Sequence, residues 1–295
     1  MPINAKCILK SSVFGAVGIP DLYTVVARYP RIIHAEVMTH RMFSRNASSS
    51  RAVPIQRLID EALNDPAFPV EFGSHQPGMQ AAAPTGKLVG CYQTAADGFL
   101  DYNEVPPEDA WLEARDRAVS VAKGFMEAGY AKQVVNRLLE PFTHITILIS
   151  STEWDNFFKL RRHPDADPTM RALADAIWDA MQEPEERPEM PEYGWHLPFI
   201  AKEERGCFAT GREAAMVSAA RCARVSYLRH DGSKPRLSDD IALSEKLLEA
   251  GHMSPFEHQG RVPAHDDMDN HLKCGNFVGW HQFRKMVEPE PSRRY

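Results

Sequence analysis

Residues 39–51 concentrate the polar chemistry of this chain. The run Thr39-His40-Arg41-Met42-Phe43-Ser44-Arg45-Asn46-Ala47-Ser48-Ser49-Ser50-Arg51 holds three arginines, a histidine, an asparagine and four serines against three apolar side chains. Guanidinium groups offer planar, bidentate donors to phosphate and carboxylate oxygens, and serine hydroxyls add short, adaptable ones. That composition predicts no core element. It leaves two readings, a site for a small anion or a solvated basic helix end.

The flanking sequence must position these groups. Residues 22–27 are β-branched and read as a strand. Pro30 then opens a predicted helix with Ile32, Ile33, Val37 and Met38 on its apolar side, which delivers His40 and Arg41 at its C-terminal end. Residues 52–104 begin with helical character and turn rich in Gly, Pro and Ala, which predicts an irregular insertion over 64–104. A helix is expected from Glu108 to Ala128, stopped by Gly129, then a short helix through Val134 and Leu138. Residues 143–150 have strand composition, and 154–161 and 169–181 read as helices. A Pro/Glu-rich linker covers 183–191, followed by helices at 211–226 and 238–249 and a loop-rich end. The mixture predicts an α+β fold, an antiparallel or mixed sheet with packed helices, without the strand–helix alternation of a doubly wound sheet. Neither a Gly-x-Gly-x-x-Gly fingerprint nor a P-loop occurs.

Composition narrows the function classes. The 295 residues are 43% hydrophobic and 25% charged, enough for a large core in one or two domains. No apolar run approaches a membrane span, and the first residues lack a signal peptide's apolar stretch. Cys7, Cys91, Cys207, Cys222 and Cys274 are scattered without a Cys-x-x-Cys pair, so neither zinc site nor disulfide framework is indicated and a reducing cytoplasm is expected. A net charge of -6 disfavours a nucleic-acid partner bound through bulk positive charge and favours a small anionic ligand in a local basic pocket.

Several segments together carry a family resemblance. The pattern His40-Arg41-x-x-Ser44-x-Asn46-x-x-Ser49-x-Arg51 resembles the signature of the flavin-dependent thymidylate synthases, with departures at Thr39, Ala47 and Ala52, where that family has Arg, Glu and Tyr. Residues 218–227 (SAARCARVSY) resemble its Arg-Ala-Ala-Arg-Val-Ser segment, and 251–258 (GHMSPFEH) its Gly-His-x-Ser/Thr-Pro-x-Glu-His loop. Residues 137–141 (RLLEP) resemble its Arg-x-x-x-Pro segment, and 156–161 (NFFKLR) its Asn-Phe-x-x-Leu-Arg segment. In that family the Ser-Ala-Ala-Arg and Gly-His segments precede the His-Arg signature, whereas here they follow it. The resemblance therefore implies a circular permutation, with residues 1–182 as the main part, 183–210 as a linker and 211–295 as the family's N-terminal flavin-binding portion. Residues 276–285 and 23–41 both resemble the run leading into the signature, which suggests Arg284 as the guanidinium absent at Thr39.

The resemblance implies an enzyme that moves a one-carbon unit from methylenetetrahydrofolate to C5 of dUMP, with FAD as cofactor and NADPH as reductant, to give dTMP. Arg161 and His252 take catalytic places, Arg161 against the uracil ring and His252 near the isoalloxazine. His40, Arg41, Asn156, Ser254 and Glu257 match FAD contacts. Glu36, Ser48, Ser49, Ser50, Arg51 and Arg137, with Arg161, match nucleotide contacts, Arg137 from a neighbouring subunit, and Glu36 stands where the family has Gln. A homotetramer is implied, with no metal; His252, Glu257 and His258 do not have the His-Glu-x-x-His spacing on a helix. His34, His144 and His163 read as structural histidines. Two other readings stay open. One is a sister enzyme acting on a cytosine nucleotide or leaving a hydroxymethyl group. The other is a non-catalytic flavin- or nucleotide-binding protein.

Overall fold

The computed structural model describes residues 3–13, 19–78, 80–94, 98, 100–182, 194–226, 236–262 and 273–287. The chain opens with β1 (Asn4–Ser11) and β2 (Leu22–Pro30), a tight turn at Arg31–Ile33 and the one-turn helix α1 (His34–Val37). Then come β3 (Ser44–Ala47), α2 (Ile55–Asn64), the hairpin strands β4 (Val89–Thr94) and β5 (Leu100–Val105), α3 (Pro107–Glu127), α4 (Lys132–Val135) and β6 (His144–Ser151). Helices α5 (Asp155–Arg161) and α6 (Pro168–Gln182) follow. The C-terminal part holds the short strand β7 (Trp195–His196), helices α7 (Gly211–Ala223) and α8 (Leu237–Glu249), short strands β8 (Gly260–Arg261), β9 (Lys273–Cys274), β10 (Phe277–Val278) and β11 (His281–Gln282), and α9 (Phe283–Val287). The fold is α+β, and every strand pairing among the described residues is antiparallel. The expected linker at 183–191 and Tyr227 of the Ser218 segment lie outside the described residues.

The central sheet runs β1-β2-β6-β3. β6 (HITILISS) alternates along its length, as a strand's side chains must. Ile145, Ile147 and Ile149 join Val25, Ala27 and Tyr29 of β2 in a core packed under α5 and α6, with Phe157, Met170, Leu173 and Ile177. The opposite phase carries hydroxyls. Thr24, Ser150 and Ser44 sit in register across β2, β6 and β3, each fully buried. A buried hydroxyl is stable only with a partner. The partners come from the C-terminal part: His196 Nε2 lies 2.7 Å from Thr24 Oγ1, His258 Nδ1 2.9 Å from Ser150 Oγ, and Gln282 Nε2 donates to Ser44 Oγ at 2.9 Å. Thr24 and Ser150 bond each other at 2.6 Å, and His196 Nδ1 reaches Ser11 Oγ at 2.8 Å. This row of hydroxyls seats the C-terminal segments on the sheet. Those segments have their own apolar cluster, in which Trp195, Phe208, Val217, Phe256 and Phe283 meet.

Several expectations are revised. Residues 39–51 do supply part of the core, because β3 borders β6 and buries Ser44 and Asn46, and Phe43 before it is 1% exposed. The helix predicted from Pro30 shrinks to α1, with Ile33 and Val37 buried but Ile32 and Met38 exposed. The insertion over 64–104 contains a regular hairpin, β4–β5, whose Tyr92 and Tyr102 rings meet edge to face at 5.5 Å. β1 was not anticipated. Gly129 ends α3 as expected, in the left-handed region at φ 80° that glycine enters without a Cβ clash.

Candidate active site

Two short elements bring Arg161 and the His-Arg signature together. α5 ends at Arg161, and the turn after α1 carries Thr39 and His40. The α5 aromatics seat this arrangement: Phe157 stands edge-on to the His40 ring at 4.9 Å and to Phe43 at 5.1 Å. Arg161 Nε–H donates to His40 Nε2 at 3.0 Å, Nη1 faces Glu36 Oε2 at 3.4 Å, and Nη2 donates to Thr39 Oγ1 at 3.4 Å. His40 is buried, and burial together with the Arg161 charge pushes its imidazole down to about 4. At neutral pH the ring is therefore uncharged, and its Nε2 accepts the hydrogen bond from the guanidinium Nε–H. Asp165, four residues on, lies 3.5 Å from His163.

Beside this cluster lies an open cleft of about 1080 Å³. His40, Arg41 and Asn156 line it together with Lys10, Tyr23, Trp154, Phe158 and Trp178. Its flat rings suit a planar heterocycle, and its charged lining is mixed, Lys10 and Arg41 against Asp21, Glu153 and Asp155. Trp178 was missed in the sequence because an isolated Trp in a helical pattern reads as core, as Trp154 at 5% exposure is; Trp178 is 36% exposed, with the Arg162 guanidinium 4.5 Å above its ring.

The nucleotide-type residues form a separate group. Ser48 accepts the Thr146 backbone N–H through Oγ at 3.1 Å, Ser50 donates to Glu140 Oε1 at 2.6 Å, and Ser49 and Arg51 are exposed. Arg137 is exposed on the turn 136–138, which packs against the turn 50–52. A third group comes from the C-terminal part. Ser254 and His252 are exposed and Glu257 is partly buried, on a turn that packs against β3. His252 lies outside the lining of the cleft. Arg284 pairs with Glu257, so its guanidinium is directed there, while the hydroxyl of Thr39 meets Arg161.

The fold and site define an α+β protein with an arginine–histidine cluster beside an open cleft lined by aromatic rings and by charges of both signs. The model of the thymidylate synthase complementing protein family matches residues 21–184, more than half of the chain, and the chain belongs to that family, the flavin-dependent thymidylate synthases that its motifs resemble. The matched span includes the signature, Arg137 and α5, and ends before the 251–258 loop. Among solved structures, the chain is similar to the UMP/dUMP methylase PolB from Streptomyces cacaoi bound with 5-Br UMP. That match is 16% identical, covers 61% of this chain and 89% of the other, and has a TM-score of 0.36. The same methylase bound with 5-Br dUMP is also 16% identical, with 57% and 70% covered and a TM-score of 0.33. No curated protein matches the chain.

Proposed function

We propose that this protein is a flavin-dependent thymidylate synthase of permuted architecture, acting on dUMP with methylenetetrahydrofolate and NADPH. The observation that carries the reading is the Arg161 cluster. Uracil C5 is a poor nucleophile unless negative charge can develop at N3 and O4, and a fixed guanidinium stabilises that charge without reorganising. Neutral His40 holds Arg161 from one side through Nε. Glu36 and Thr39 occupy the fork that a pyrimidine would take. The Glu36 pair is easily displaced, since its carboxylate is 44% exposed and such pairs contribute about 0–1 kcal/mol.

The cleft lined by His40, Arg41 and Asn156 fits FAD, which when bound supplies the reducing equivalents for the transfer. Arg41 provides charge for a pyrophosphate, and Trp154, Phe158 and Trp178 provide flat apolar surface for a ring system. Ser49 and Arg51 hold the nucleotide phosphate with Arg137 of a neighbouring subunit, while Ser48 and Ser50 fix the turn that carries them; Ser254, Glu257 and His252 are assigned to the flavin by their motif, from outside the lining of the cleft. Residues 211–295 act as the family's flavin-binding portion brought to the C-terminal side of the signature. Three contacts support that: Gln282 on Ser44, His258 on Ser150, and the 254–257 turn against β3. The enzyme works as a homo-oligomer, a tetramer by family analogy, in the cytoplasm.

Incubation of the purified protein with FAD, NADPH, methylenetetrahydrofolate and dUMP, followed by mass analysis of the nucleotide, tests this reading. Production of dTMP is expected. Unchanged dUMP contradicts the reading, and a C5-hydroxymethyl product or turnover of dCMP moves it to the sister activity. Glu36 favours that second outcome, since a carboxylate can accept from the exocyclic amine of cytosine.

A further inference from the structure

Asn136, outside every motif, and Glu140, at an unspecified position of the 137–141 segment, tie down the turn that carries Ser48–Arg51. Asn136 is fully buried, and its Nδ2 donates to the backbone carbonyls of Ser50 at 2.7 Å and Val53 at 2.9 Å. Glu140, four residues on, accepts the Ser50 hydroxyl at 2.6 Å. The same turn is held at its other end by β6, where Ser48 N donates to Thr146 O at 2.8 Å and Thr146 N donates to Ser48 Oγ at 3.1 Å. Within the turn, Ala52 N donates to Ser49 O at 3.0 Å and Val53 N to Ser50 O at 3.3 Å. Each tether spans more than 80 residues of sequence, so local propensity does not explain it.

Ser50 is 6% exposed and its hydroxyl is committed to a carboxylate, which leaves Ser49 and Arg51 as the outward groups of this turn. Arg137 lies between the two tethering residues and is itself exposed. The bonds that fix the serine turn therefore also fix the backbone on which Arg137 stands.

We infer that Asn136 and Glu140 are positioning residues for phosphate binding: they clamp the turn 48–53 to the turn 136–140 so that Ser49 and Arg51 are held ready for the 5′-phosphate of the nucleotide, and Arg137 is held ready for the site it completes on a neighbouring subunit. This rests on the nucleotide reading given under Proposed function. Neither residue touches substrate; each acts through Ser50. A carboxylate acceptor makes the shorter, stronger bond to the hydroxyl, which suits a turn that must stay rigid while charged ligands come and go.

The test compares wild type, Glu140→Ala, Glu140→Gln and Ser50→Ala as folded, FAD-loaded protein, with binding of dUMP, of deoxyuridine and of inorganic phosphate measured by calorimetry or competition. The clamp predicts that Glu140→Ala and Ser50→Ala weaken dUMP and phosphate by about tenfold or more. Deoxyuridine, which lacks the phosphate, is unaffected, KM for dUMP rises and kcat at saturation stays within about twofold. Glu140→Gln keeps an acceptor and restores most of the affinity. Equal dUMP and phosphate affinity in wild type and in both alanine variants overturns the clamp alone. An equal loss for dUMP and deoxyuridine overturns it too, because a general structural defect would act on both. A wild-type protein that binds no dUMP overturns the nucleotide reading and the clamp with it.

Discussion

In the proposed reading the chemistry turns on Arg161. Its guanidinium is fixed by a neutral imidazole behind it and opposed by a weakly paired carboxylate in front. Replacing Arg161 by Met removes a preorganised donor and is expected to lower kcat by about 10²–10³ while FAD content is retained; an unchanged kcat would remove Arg161 from the mechanism. Glu36→Gln frees the fork from its competitor. Dissociation constants for dUMP are expected to fall by up to about fivefold, in keeping with the small free energy of an exposed pair, and any competition by dCMP is expected to disappear. Most of these residues were legible in the sequence, because arginines, histidines and serines at fixed spacing are what a signature consists of. Their partners were less legible. His40 on Arg161 joins residues 121 apart, and Glu140 on Ser50 joins residues 90 apart, and no one-dimensional pattern reports such pairs.

At the scale of elements, alternation explains both what could be read and what could not. β6 was legible because its β-branched run has no other stable use. β3 was not, because its sequence SRNA carries polar side chains that are buried only by virtue of partners from the far end of the chain. The row Thr24–Ser150–Ser44 is the physical reason: in single strands these are unremarkable hydroxyls, and only the register aligns them. Ser150→Ala leaves Thr24 and the His258 ring each short of a partner, and is expected to cost about 1–3 kcal/mol in urea denaturation. Close packing sets a second limit at Gly260 of β8. A Cβ there would stand 2.8 Å from Leu22 Cδ2 and 3.3 Å from the Trp280 ring, so Gly260→Ala is expected to cost about 1–3 kcal/mol. A denaturation midpoint equal to wild type for either variant would contradict the packing described.

At the scale of the whole molecule, the sheet and the C-terminal segments are joined through two fully buried histidines. Burial pushes both His196 and His258 down to about 3, and for His196 the neighbouring His258 and Arg205 act in the same direction. Both are neutral in the folded protein at neutral pH. The unfolded chain takes up these protons near pH 6.5, whereas the folded chain resists them to about pH 3, so stability is at its full value above pH 6.5 and falls as pH drops through that window. The expected slope is about 1.4 kcal/mol per pH unit for each histidine. Replacing His258 by Gln should flatten it measurably in denaturation midpoints between pH 6.5 and 4.5; an unaltered slope would mean that this ring does not carry the dependence. The central claim, a flavoenzyme whose flavin answers to a pyrimidine nucleotide, is tested most directly by the absorbance spectrum of the purified protein followed by anaerobic NADPH addition with and without dUMP. Flavin bands near 380 and 450 nm, roughly those of the bound cofactor, that bleach faster in the presence of dUMP are the predicted result. A colourless protein that takes up no added FAD, or a flavin indifferent to dUMP, would contradict it.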